Sequence, residues 1–294
     1  MNRKSLAFAW VLIASVAMVA AVPVRACAQQ VDSLRSRYLI PLPTTLPVVA
    51  ASGRAAPGSS SSTPTAFGPS WGDAFIGFGY QAATRGLIKS GSAGRSDEDG
   101  AAVIGIGLGD ARNALGIEIS YTSYSTIRSG FGNVGAISTK LHRALPGSAG
   151  MALGFENAIN VNGAGDHGLT IYGVASKVWK LSRQPTFSTV TTSVGVGSGR
   201  FRRLEDIRNG KRTAVNVFGS IGLQLLPPLS VIADWTGQSL TLGSSIVPLR
   251  AIPLIITPAV TDVAGDHVGD PRFILGVGLG IDTHLPSIFH GPSS

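Results

Sequence analysis

RFILGVGLGID, residues 272 to 282, decides the fold. Phe273, Leu275, Val277, Leu279 and Ile281 alternate with Gly276, Gly278 and Gly280. A side-chain period of two is that of a β-strand. One face of this strand is continuously apolar, and the other has almost no side chains. A soluble sandwich places polar groups opposite its core face. A closed barrel in a bilayer reverses the roles, with apolar residues on lipid and small or polar residues inside. The stretch therefore reads as one strand of an all-β, transmembrane, antiparallel up-and-down β-barrel.

The same pattern recurs upstream. Twelve strand candidates follow Trp71, over 71–84, 100–109, 113–125, 132–143, 147–159, 168–181, 187–199, 213–225, 229–236, 239–249, 253–262 and 271–283. In 113–125, Leu115, Ile117, Ile119 and Tyr121 oppose Gly116, Glu118, Ser120 and Thr122. In 213–225, Val215, Val217, Ile221 and Leu223 oppose Asn216, Ser220 and Gln224. Stretch 168–181 is mixed, because Trp179 falls on the opposite parity to Tyr172, Val174 and Val178. Connections leaving even-numbered strands are short. Those leaving odd-numbered strands are longer, except 237–238. Short periplasmic turns and longer outer loops are the mark of outer-membrane barrels, and closure leaves no unpaired edge in lipid. Pro248, Pro253 and Pro258 fall near strands ten and eleven, where a missing ladder donor marks a strand end or bulge. Region 229–250 reads as one bent strand or two, so ten and fourteen strands are the alternative counts.

Composition agrees. The chain has 294 residues, 38 of them Gly, with 14% charged and 44% hydrophobic residues. Soluble domains usually carry roughly 25% charge. Beyond residue 28 there are 21 basic and 16 acidic residues, a net charge of +5. No Lys/Arg stripe with interleaved aromatics is present, which argues against nucleic acid as a partner. The single Cys27 excludes a disulfide framework. The five histidines have no metal-ligand spacing, so neither a metal nor any other cofactor is implied.

The chain before the barrel divides in two. Residues 1–28 read as a secretory signal peptide, with Arg3 and Lys4, an apolar run from Leu6 to Val22, and Ala26-Cys27-Ala28 at the cleavage position. A lipoprotein acylated on Cys27 is the rival, and Arg25 argues against it. Residues 29–70 are rich in Pro, Ser and Ala and read as a disordered linker, with a plug entering the barrel as the alternative. The barrel domain spans 71–285, and 286–294 form a C-terminal tail.

The facing of the strands nominates a polar lumen. Asp73, Glu118, Lys140, Glu156, Lys177, Asp234 and Arg272 are expected to point inward. Inward glycines would leave room for small solutes, while charge pairs filling the interior are the competing expectation. The loop 200–212 is basic, with Arg200, Arg202, Arg203, Arg208, Lys211 and Arg212 against Glu205 and Asp206. It reads either as a solvated loop or as a patch for anionic lipopolysaccharide. Ala-Gly-Asp-His occurs at 164–167 and 264–267, where turn chemistry competes with metal ligation. The GxG repeats lack the following helix of a dinucleotide fingerprint.

The GxG-containing strands, DWTGQSLTLG at 234–243 and RFILGVGLG at 272–280 resemble the small, porin-like outer-membrane β-barrels of Gram-negative-type bacteria. The resemblance spans 71–283. It implies export to the bacterial outer membrane, and contact with membrane lipid and lipopolysaccharide, periplasmic chaperones and the barrel-assembly machinery. It implies a passive channel for small hydrophilic solutes or a structural envelope protein, not an enzyme. A lipid-modifying hydrolase using Asp166-His167 or Asp266-His267, and a surface adhesin, are the other readings. Barrels of this kind often end on an aromatic residue, whereas here Pro286 separates Phe289 from the last strand.

Overall fold

Alternation along each strand gives two chemically distinct faces, and the chain closes them into a ring. The computed structural model describes residues 56–82, 98–124, 126–127, 130–162, 168–211, 213–249, 252–265 and 271–282. Residues 1–55, both Asp-His pairs, Arg212, and the tail from 283 onward lie outside this set, as does the side chain of Arg208. The proposed signal peptide and most of the 29–70 segment therefore lie outside it too.

Twelve strands follow in order: β1 (Asp73–Gln81), β2 (Asp99–Gly109), β3 (Gly116–Ser123), β4 (Gly135–Leu145), β5 (Ala149–Val161), β6 (Thr170–Lys180), β7 (Thr189–Gly197), β8 (Asn216–Leu226), β9 (Leu229–Trp235), β10 (Ser239–Ile246), β11 (Leu254–Gly265) and β12 (Arg272–Asp282). Each pairs antiparallel with its sequence neighbours, and β1 pairs with β12 to close the barrel. Region 229–250 is two strands joined at 236–238, where Gly237 takes a positive φ of 88°. Among the described residues, the remaining regular structure is a 3-10 turn at Gly199–Phe201 and a short helix α1 at Leu204–Arg208, both between β7 and β8.

The outward face is apolar all round. Phe78, Ile104, Met151, Leu153, Val194, Val196, Ile221 and Phe273 are among its exposed large residues. The inward face is made of Gly, Ser, Thr and Ala, with a few large or charged residues. On β12 the five apolar residues from Phe273 to Ile281 face outward and the glycines face in, as the alternation predicts.

Besides a shift beside the tight β8–β9 turn, two strands break the register at a residue of positive φ. On β5 the register shifts opposite Ile137 and Thr139, and Asn157 sits at φ 58°. On β11 it shifts opposite Leu240 and Leu242, and Asp262 sits at φ 60°. Asn and Asp tolerate the left-handed region better than other side-chain-bearing residues, so they absorb these bulges. Each bulge lies at or beside an inward acidic residue, Glu156 on β5 and Asp262 on β11, and both matter below.

Candidate functional site: the occupied lumen

The inward wall meets a segment of the same chain. Residues 58–70, ahead of β1, lie inside the barrel. Ser60, Thr63 and Ala66 are essentially inaccessible, and Ser61, Ser62 and Thr65 are buried. The expectation of a disordered linker therefore fails over these residues. Low apolar content gives the segment little to bury against oil, but the wall offers hydrogen-bond partners that composition cannot reveal.

The path of this strap is doubled back. Gly58 N donates to Ser245 Oγ at 2.8 Å, and Gly58 O accepts from Ser230 Oγ. Both wall residues lie near the end of the barrel where β1 begins and β12 ends. Ser60 to Thr63 then reach Asp234, toward the opposite end. The return arm runs past Ser176, whose Oγ accepts from Ala66 N at 2.8 Å, and past Lys140, whose Nζ donates to Phe67 O at 3.0 Å. It comes back to the end at which Gly58 is anchored, where Trp71 N donates to Gly109 O at 2.8 Å and β1 starts.

Wall glycines make room for it. A Cβ at Gly107 would lie 2.3 Å from Ser70 O, and one at Gly222 would lie 2.7 Å from Ser59 Cα. The room expected for solutes is here taken by the strap.

Asp234 is the centre of the arrangement. It is wholly buried. Its Oδ2 accepts from Ser61 N at 2.7 Å, from Ser62 N at 2.9 Å and from the Ser61 hydroxyl, with Ser62 Oγ at 3.3 Å. Its Oδ1 lies 2.9 Å from Ser60 Oγ and 3.2 Å from Thr63 Oγ1. All these donors are uncharged and all belong to the strap. Charge-assisted hydrogen bonds of this kind are about twice as strong as neutral ones.

Three ion pairs stiffen the rest. Glu118 Oε2 lies 2.6 Å from Lys140 Nζ. Arg200 grips Glu156 with two donors, at 2.6 and 2.9 Å, and gives a third to Ser62 O at 2.8 Å. Burial opposes the charge of the Arg200 guanidinium, and the Glu156 carboxylate outweighs it, so its pKa stands above the ordinary value. Arg272 donates twice to Asp262 Oδ2, at 3.0 and 2.6 Å. The β5 and β11 bulges put these last two carboxylates within reach.

Above the strap, Tyr172, Phe201 and Phe218 form an aromatic cluster that also touches Ala66. Phe201 and Phe218 stack with centroids 4.0 Å apart, and Tyr172 meets each edge-on at 6.0 Å. His142, on β4, is also buried, and both its ring nitrogens lack a well-formed hydrogen bond.

Asp73, Glu118, Lys140, Glu156, Asp234 and Arg272 lie on the inward parity, as the alternation predicts. Lys177 does not. It shares its parity with Ile171, Ala175 and Trp179, all exposed, and its Nζ sits 4.3 Å from the Trp179 ring centroid. Strand β6 misleads because its inward face is apolar at Tyr172 and Val174, where the aromatic cluster fills the lumen. The basic loop also divides. Arg200 is turned into the lumen, leaving the patch. Arg202 bonds Gly199 O and Lys211 O, and Lys211 lies 3.4 Å from Asp206, while Arg203 is exposed. The strap hydroxyls, the wall serines 176, 230 and 245, and the aromatic cluster have no counterpart in the sequence reading. The run SSSST at 59–63 was the available signal.

Among the described residues, no group of three or more His, Cys, Asp or Glu could hold a metal ion. No family model matches the chain, and no curated protein matches it either. Among solved structures, an outer membrane channel from Pseudomonas putida F1 is similar with a TM-score of 0.45 at 10% identity, over 73% of this chain and 97% of that one. The Neisserial surface protein NspA matches with a TM-score of 0.21 at 14% identity, over 72% of this chain and 97% of that one. The attachment invasion locus protein Ail of Yersinia pestis matches with a TM-score of 0.19 at 10% identity, over 72% and 99%.

Proposed function

We propose that this protein is an outer-membrane β-barrel that forms a channel for small hydrophilic solutes, held closed at rest by its own strap. The carrying observation is the contrast between faces: a polar wall of small residues whose occupant is a segment of the same chain, tied to that wall by hydrogen bonds. The membrane part of the reading rests on the outward face. A soluble monomer seldom exposes an apolar patch larger than a few hundred Å², and here every side of the barrel is apolar. An 11-residue strand such as β4, tilted by about 40°, rises roughly 28 Å, close to the roughly 25 Å apolar band of such barrels. Trp71, Trp179 and Phe187 stand exposed at the end bearing β1's start, and Trp235 at the other. Aromatic residues at both levels suit the two membrane interfaces, and Lys177 beside Trp179 can reach headgroups.

The channel part rests on who supplies the interior volume. A permanently filled barrel carries that volume on its wall. Here much of it is borrowed from the strap. Because Gly58 and Trp71, at the two ends of the strap, are both anchored at one mouth, it can withdraw through that mouth.

The test is conductance. The purified full chain should need detergent, give a heat-modifiable gel shift, and show rare unitary steps in planar bilayers. The S60A/S61A/S62A variant, which weakens the clasp on Asp234, should raise the open fraction. Inserted protein of both kinds that never passes current would end the channel reading.

A further inference from the structure

We infer that the passage uncovered by the strap selects small cations, and that Asp234 is the residue that sets the preference. This rests on the channel reading above and deepens it by naming the class of solute.

The argument is a charge inventory of the inward face. Three of its carboxylates are answered by a Lys or Arg in the pairs already described, and these pairs leave no net charge. Three more have no Lys or Arg partner among the described residues: Asp73, Asp99 and Asp234. Asp73 accepts from Ser70 N at 2.8 Å, and Asp99 from Gly100 N at 2.8 Å. Asp234 accepts only from the strap's hydroxyls and amides. The inward wall therefore carries three more carboxylates than its Lys and Arg residues answer, among the described residues.

Their placement spans the barrel. Asp73 opens β1 at one end, Asp99 opens β2 at the other, and Asp234 lies near the end of β9, within the lumen. Rings and steps of Asp and Glu are how cation pathways are lined, and low-dielectric walls focus such a field. In the closed state the strap's donors mute Asp234. When the strap leaves, the carboxylate loses all of them together. Water and a passing cation are what can replace them, while an anion meets uncompensated repulsion.

Two ways of weakening the clasp separate charge from occlusion. S60A/S61A/S62A keeps the Asp234 carboxylate. Asp234→Asn weakens the same clasp and removes the charge. In a potassium chloride gradient, the triple variant should reverse at a potential of cation-preferring sign, several-fold for potassium over chloride. Asp234→Asn should bring the reversal potential toward zero. Asp99→Asn added to the triple variant should shift it the same way by less, and that arm stands even if Asp234→Asn does not fold. A triple variant that conducts without cation preference, or reversal potentials unmoved by either charge removal, overturns the inference and leaves the channel reading intact. Folded, inserted variants that pass no current overturn both.

Discussion

Strand β12 and the strap both run through the length of one barrel, yet they are held by opposite means. β12 is placed by its own pattern. Its outward residues are apolar, its inward residues are glycine from 276 to 280, and its backbone bonds are shared with β1 and β11. The strap has no period and few apolar residues. It is placed by distant partners, above all Asp234, about 170 positions further along the chain. A strand is buried by what it is, and the strap by what faces it. Burial without periodicity is therefore conditional, and a conditional element can be released.

The largest effect should come from attacking the pattern. Val277→Arg puts a charge on the outward face at the middle of β12. It should cost about 2–4 kcal/mol, as for charges near the bilayer midplane, read as a lower urea midpoint for folding into vesicles. Next comes the partner. Asp234→Ala leaves the strap's buried donors without their acceptor and should cost about 3 kcal/mol by the same assay, since each stranded group costs roughly 1–3 and escape of the strap to water limits the total. That variant should also open more often in bilayers, which Val277→Arg, once inserted, should not. If Asp234→Ala left both stability and open fraction unchanged, the contrast between the two regions would collapse.

Smaller changes sharpen it. Ser176→Ala strands Ala66 N and should cost about 1 kcal/mol, visible as a modest shift of the same midpoint. The smallest effect belongs to the turn between β2 and β3. There the backbone amide of Arg112, then the Asn113 side chain, hold the Asp110 carboxyl below the ordinary carboxylate range. A depressed folded-state pKa stabilises above the unfolded value, and that stability is lost as pH falls through the folded one. The midpoint difference between the parent and Asp110→Ala should therefore be largest near neutrality. It should begin to shrink below about pH 4 and vanish only in stronger acid, below the folded-state value. Because the Asp110 carboxyl bonds only to Arg112 and Asn113 of its own turn, the open fraction should be unaltered.

What could be read from the chain follows the same division. Twelve strands, their order and most boundaries were legible because a two-residue period is local. Residues 273 to 281 declare their faces without reference to anything else. Lys177 was misplaced because β6 carries apolar residues inward, at Tyr172 and Val174, so hydrophobicity there no longer marks the lipid side. From sequence alone Arg200 belongs to a solvated basic loop, because its partner, Glu156, lies in a strand 44 positions earlier and is presented by a bulge. The strap has the composition of a linker because serine hydroxyls register as water-loving until a buried carboxylate is known to await them. Local signals fixed the container, and long-range pairing fixed its contents.

The join between the first and last strands has a consequence for assembly. Along it, inward positions meet as Gly77 with Gly278 and Gly79 with Gly276. Whichever strand pairs last during biogenesis, this hem carries no inward side chain over those rungs to snag on a neighbouring thread. The strap leads straight into β1, so it can be tucked in before the hem is drawn shut. The glycines there act as a smooth fastening, in the place where a ring made from one continuous chain must finally be sewn to itself.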